Sequence, residues 1–132
     1  MPNSGIAQEI AQFGGFRSRA ATHPGTAGRM NEDGYLNRPD LGLWVVADGA
    51  GGHQSGEVAS AAVVAALQDI AAGLSAHAML QEVRARLETA HERLRDAGEQ
   101  RGEGVIMATT VVVLIARDPV IANPQSRLAV KP

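Results

Sequence analysis

Apolar and polar positions along this chain predict four strands and two helices. Strand-like runs fall at Phe16 to Ala21, Gly34 to Asn37, Leu43 to Ala47 and Met107 to Ala116. The last two are rich in the β-branched and aromatic residues that fit a pleated surface. Between the third and fourth runs, Val58, Ala61, Ala62, Ala65, Ala66 and Ile70 recur at helical spacing and predict a helix from near Gly56 to before Gly73. A second helix is expected from Ser75, whose hydroxyl can cap the first turn, to Gly98, a residue that suits a stop. Its apolar stripe is Leu80, Val83, Leu87, Ala90 and Leu94. Glu82 with Arg86, and Arg84 with Glu88, stand one turn apart on the polar face and read as solvated surface.

The third strand delivers Asp48 into the glycine-dense stretch Gly49-Ala50-Gly51-Gly52-His53-Gln54-Ser55-Gly56, ahead of the first helix. A ligand can reach the chain at the carboxyl end of a strand, and glycines let the backbone approach it with no Cβ in the way. Asp48 can then serve as a hard oxygen ligand for Mg²⁺ or Mn²⁺. An Asp-Gly turn also has a plainer use, in which the aspartate only caps the turn that follows. Upstream, Asn31-Glu32-Asp33 supplies a second acidic element, either two solvated charges before a turn or two further ligands. Adjacent residues on an extended segment point to opposite faces, so Glu32 and Asp33 should not play identical roles.

With 132 residues, 45% hydrophobic and 20% charged, the chain has the balance of one globular domain. Aromatics are only 3%, so the core must be built from Val, Ala, Leu and Ile. A net charge of -2 gives no basic footprint for nucleic acid, and no apolar run has the length of a membrane span; neither partner is expected. The absence of cysteine removes disulfides, thiolate metal sites and cysteine nucleophiles. Met1 to Gly15 lacks the basic and apolar regions of a signal peptide, which makes a cytoplasmic location the default. His23, His77 and His91 are scattered, without the clustering a zinc site needs.

Asn31-Glu32-Asp33, then Val45-Val46-Ala47-Asp48-Gly49-Ala50-Gly51-Gly52-His53 with Gly56-Glu57 and Ala59-Ser60, then Ala108-Thr109-Thr110-Val111-Val112-Val113-Leu114, occur in order. Together they resemble the first motifs of the metal-dependent protein serine/threonine phosphatases of the phosphatase 2C type, in their bacterial form. The resemblance covers roughly residues 15 to 116; residues 1–14 are expected to be an N-terminal extension and 15–132 a partial domain of this kind. It implies an α+β fold, an α-β-β-α sandwich of two antiparallel sheets flanked by helices, present here only as its amino-terminal part. Val112 is then expected to be buried between the sheet layers. The activity implied is hydrolysis of phosphoserine and phosphothreonine by a water activated between two Mn²⁺ or Mg²⁺ ions.

By the same resemblance Asp48 is the bridging carboxylate, Gly49 offers its backbone carbonyl to one ion, Glu32 binds an ion and Asp33 holds a metal-bound water. His53 suits proton transfer near neutrality, but a loop-structuring role is preferred, because Ala50 occupies the place where some relatives carry a histidine directly after Asp-Gly. Thr109 and Thr110 are expected to satisfy neighbouring backbone. The phosphate-binding arginine should fall at position 28, which is Gly28, with Arg29 one place late. A one-residue slip turns a side chain to the other face, so Arg29 is a weak phosphate ligand.

Relatives continue through further aspartates, whereas here Pro124 and Gln125 stand where a Gly-Asp pair is expected. The expectation is an amino-terminal half, whether a natural truncation, a degenerate copy or an isolated fragment, weakly active or inactive by itself. Half a sandwich exposes apolar strands, which favours self-association or a partner that completes the sheet. Two functions follow. One is a phosphatase acting on a phosphorylated protein, such as the product of a serine/threonine kinase. The alternative is a non-catalytic pseudophosphatase that binds a phosphoprotein or regulatory partner.

Overall fold

The structure, a computed structural model, describes residues 7–25, 31–51, 55–102 and 104–118. Strands β1 (Ala7–Phe13) and β2 (Phe16–Thr22) form an antiparallel hairpin with Phe13 opposite Phe16. Its two-residue turn places Gly14 at φ 56°, a left-handed conformation that suits the twist of such hairpins. β1 was not among the predicted strands. Its sequence, Ala-Gln-Glu-Ile-Ala-Gln-Phe, carries no sustained alternation, and pairing with β2 makes it a strand.

Strands β3 (Asp33–Arg38), β4 (Leu43–Ala50) and β5 (Ala108–Ile115) form a second antiparallel sheet in the order β3-β4-β5. The β3–β4 turn is closed by the Leu41 N–H on Arg38 O and the Gly42 N–H on Pro39 O, both at 3.0 Å. Helices α1 (Ser55–Leu67) and α2 (Ala76–Arg101) intervene between β4 and β5. Leu36, Leu43, Val45 and Ala47 of the sheet enter one core with Val63 and Leu67 of α1 and Met79 and Val83 of α2. Burying such side chains stabilises the fold by about 1.5–3 kcal/mol each. The approach of α1 is close: a Cβ at Gly34 would lie 3.1 Å from Val64 Cγ2.

The opposite face of the three-stranded sheet meets the hairpin. Phe16 packs edge-on against Trp44 with ring centroids 5.3 Å apart. The Ser18 hydroxyl donates to Asn37 Oδ1, and Asn37 Nδ2 donates to the Glu9 carbonyl at 3.3 Å, which satisfies an amide that is 3% exposed. Two antiparallel sheets with two helices give the α+β architecture expected from the sequence.

Val112 departs from expectation. It is 71% exposed, as are much of Val46 and Leu114 on the same face, while Val111 and Val113 pack toward the helices. The hairpin reaches the Asn37 and Trp44 end of the sheet, so among the described residues nothing covers the outward side chains of β5. α1 starts at Ser55 and ends at Leu67, before Gly73 as expected, with Ile70 beyond it; α2 overruns its expected stop and continues through Gly98 to Arg101, with the Gly102 N–H on Glu99 O at 3.3 Å. Gly98 is a packing glycine rather than a stop, since a Cβ there would lie 3.3 Å from Val105 O. Ser75 caps α2 as predicted, accepting from the Ala78 N–H at 3.1 Å.

Arg86 is not simple surface. It donates to Glu82 Oε1 at 2.8 Å and to the Ala66 carbonyl at 3.0 Å, and pairs with Asp69, so it ties α2 to the end of α1. Among the described residues no helix is long and apolar enough to cross a membrane.

Candidate metal centre

β4 extends past Ala47 to include Asp48, which places Asp48 directly opposite Asp33 in the β3–β4 ladder. Both carboxylates lie on the face away from the helices, at the end of the sheet not covered by Phe16. The Asp33 carboxyl is raised above its ordinary value of 3.8. Partial desolvation is the largest cause, followed by the hydrogen bond with Asp48 and the charges of Asp48 and Glu32. Asn31 fixes this end of β3: its Oδ1 accepts the Asp33 N–H at 3.1 Å, and its Nδ2 donates to Thr22 Oγ1 at 2.9 Å. Sequence reasoning gave Asn31 no role, although an Asx turn ahead of two acids was a signal for one.

Glu32 leaves the chain in another direction, as its place beside Asp33 required. It is half-buried, and its carbonyl accepts the Gly49 N–H at 3.0 Å. Its carboxyl carbon would lie 2.8 Å from a Cβ on Gly56, in the first turn of α1. Gly49 is buried at the same junction, where a Cβ would lie 2.0 Å from Gly56 O. Gly49 and Gly56 are therefore required by the close approach of β4, α1 and Glu32.

Thr110 lies opposite Asp48 on β5, and its hydroxyl donates to the Asp48 carbonyl at 3.4 Å. The Thr109 hydroxyl donates to the Thr110 carbonyl at 2.9 Å. Both satisfy backbone, as expected. A cleft of about 330 Å³ opens beside Asp33, lined in part by Arg19, Thr22, Tyr35, Trp44 and Val46.

The donor set suits a divalent cation. It is all oxygen, the Asp33 and Asp48 carboxylates stand directly opposite each other, and glycines clear the backbone around Gly49 and Gly56. Among the described residues no three His, Cys, Asp or Glu converge closely enough to hold an ion on their own. Arg29 and His53 lie outside the described residues.

The protein phosphatase 2C family model matches residues 23–124, the span that carries both acidic elements and the Thr109-Thr110 strand. The chain belongs to that family. Among solved structures of phosphatase 2C type it is similar to PppA, a key regulatory component of T6SS in Pseudomonas aeruginosa, at 37% identity and a TM-score of 0.68 over 85% of this chain. It is also similar to the Mycobacterium tuberculosis serine/threonine phosphatase PstP/Ppp, at 27% identity and a TM-score of 0.55 over 84% of this chain. The chain spans 43% and 42% of the lengths of these two proteins, in their amino-terminal part. No curated protein matches it.

Proposed function

We propose that this chain is the amino-terminal part of a protein serine/threonine phosphatase that hydrolyses phosphoserine and phosphothreonine at a dinuclear Mn²⁺ or Mg²⁺ site, and that by itself it is weakly active or inactive. The observation that carries the reading is the in-register pairing of Asp33 with Asp48, beside Glu32, in a chain of the phosphatase 2C family. Asp48 would bridge the ions, Glu32 and the Gly49 carbonyl would hold one of them, and Asp33 would orient a water. A pair of divalent ions supplies an acidified water and steadies both attacking and leaving oxygens. The P–O ester bond breaks as water oxygen bonds to phosphorus, and the serine or threonine oxygen leaves with a proton. Asn31 keeps Asp33 in place through its backbone N–H. Arg29 is assigned the substrate phosphate.

The partner in this reading is a phosphorylated protein in the cytoplasm, and the exposed strand face bearing Val46, Val112 and Leu114 favours self-association. The non-catalytic alternative draws support from the donor count, because two paired carboxylates and Glu32 leave most ligand positions of two ions to water. Hydrolysis of a phosphothreonine peptide with and without Mn²⁺ tests the choice, alongside Mn²⁺ calorimetry of Asp48→Asn. That variant should bind Mn²⁺ at least about tenfold more weakly, on the order of 1.4 kcal/mol. Equal affinity would remove Asp48 from the site, and Mn²⁺-dependent turnover at the rate of a complete domain would remove the claim of weak activity.

A further inference from the structure

The hairpin has an open edge on the side that looks across the uncovered sheet. Phe13 and Phe16 flank a two-residue turn and so form a hydrogen-bonded pair, as do Ala11 with Ser18 and Glu9 with Ala20. The backbone groups of the intervening residues then point outward, and on β2 these are the N–H and C=O of Arg17, Arg19 and Ala21. Among the described residues the hairpin has two strands, so this row has no strand beside it. The cleft of about 330 Å³ beside Asp33 lies along it. Arg19, Ala21 and Thr22 are on one wall and Tyr35, Trp44 and Val46 on the other, and β1 contributes nothing. Beyond the cleft the outer face continues in two cross-strand pairs, Trp44 with Leu114 and Val46 with Val112. Val46, Val112 and Leu114 are all more than half exposed. Trp44 adds an unmet donor, since its indole N–H is buried with no acceptor among the described residues.

Charge identifies what fits there. The side chains of Arg17 and Arg19 stand on the face of β2 turned away from the sheet, where both are exposed, and their partners across the hairpin are Gln12 and Ile10. Arg19 donates to the Gln8 side chain at 2.8 Å, so β1 offers it an amide and no carboxylate. A strand paired along the free side of β2 sets every second side chain beside these two arginines and the alternate ones over Val46, Val112 and Leu114. We propose that the open edge of β2 takes an extended segment of a partner protein, about seven residues long, in which acidic residues alternate with apolar ones. The backbone of Arg17, Arg19 and Ala21 pairs with it, the two arginines select its acids, and its apolar residues cover the outer face of β4 and β5. None of these contacts needs an ion at Asp33 and Asp48.

Amide hydrogen exchange and NMR titration with a short peptide of alternating valine and glutamate test this, against the same peptide with lysine in place of glutamate. The acidic peptide should protect the amides of Arg17, Arg19 and Ala21 and leave those of Gln8, Ile10 and Gln12, on the other edge of the hairpin, unchanged. It should bind at least about tenfold more tightly than the lysine peptide, and the double variant Arg17→Glu, Arg19→Glu should reverse that order. No binding, equal affinities, or protection at Gln8, Ile10 and Gln12 instead would overturn the proposal. N-methylation along the peptide backbone removes its donors and keeps its side chains, so it should abolish binding to the unaltered chain. Unchanged affinity would mean adhesion without strand pairing and would overturn the proposal as well. The competing occupant is a second copy of this chain, and sedimentation separates the two. A dimer that Val112→Asp dissociates and the acidic peptide leaves intact would assign the outer face to self-association and overturn the proposal, whereas a peptide that binds a monomer or splits a dimer supports it.

Discussion

Asp33 and Asp48 face each other across β3 and β4 as directly paired residues, so the sheet holds two carboxylates where repulsion between them is strongest. Like charges directly opposite in a ladder cost about 0.2–1 kcal/mol. Without a cation, Asp33→Asn should therefore stabilise the chain by about that amount at neutral pH. Urea denaturation in the presence of a chelator measures it, and a loss of stability would show that the pair is not repulsive.

The sign of the pH dependence follows from the raised Asp33 value. The folded chain keeps this proton to higher pH than the unfolded chain does, so its contribution to stability is complete below pH 3.8 and is lost as pH rises through the raised value. A cation competes for the same oxygens, which makes Mn²⁺ binding stronger as that proton leaves. Calorimetry across this window should show affinity rising with pH in the parent chain and a flatter profile in Asp33→Asn.

Alternate positions on the sheet should respond oppositely to a new charge. Val45 is 1% exposed among the helices, whereas Val112 is 71% exposed on the outer face. Val45→Asp buries an unpaired carboxylate and should abolish soluble folding. Val112→Asp should change stability by no more than about 0.5 kcal/mol. Thermal melts of the two variants read the difference directly.

Arg117 holds the far end of the molecule. Its guanidinium donates to the Leu74 carbonyl at 2.8 and 3.1 Å and to the Leu41 carbonyl at 2.9 Å, joining the β3–β4 turn to the segment before α2. Arg117→Ala leaves half-buried carbonyls without donors and should cost about 1–3 kcal/mol in a chemical denaturation experiment. Mn²⁺ affinity should not change, because none of these contacts involves the acids.

What the sequence showed plainly was set by local chemistry. Strand Leu43 to Ala47, Asp48 after it and the Ser75 cap are all specified by a residue and its near neighbours. What it hid depends on partners distant along the chain. The Thr109 to Ile115 run is apolar on both sides, so nothing in it tells that Val111 is covered and Val112 is not. Met79 enters the core while Leu80 is 38% exposed, because the stripe on α2 is aimed by its contact with α1. Arg86 looked like half of an ion pair with Glu82, and the Ala66 carbonyl that it also binds belongs to another helix. Glu32 and Asp33 were legible as acids with different roles, but the gap at Gly56 that receives one of them appears only when α1 is laid against β4.

The β3–β4 ladder that ends at the acids starts at the other end of the strands, where Arg38 pairs with Leu43 around the turn made by Gly42 at φ 59°. A slip of one residue would set Asp33 against Ala47 or Gly49 and send Asp48 to the opposite face. The hairpin therefore works as a ruler, with its zero mark at Gly42. Lengthening that turn by one residue would dismantle the acidic pair without altering any atom near it, which makes a distant insertion as damaging to the site as the loss of a carboxylate.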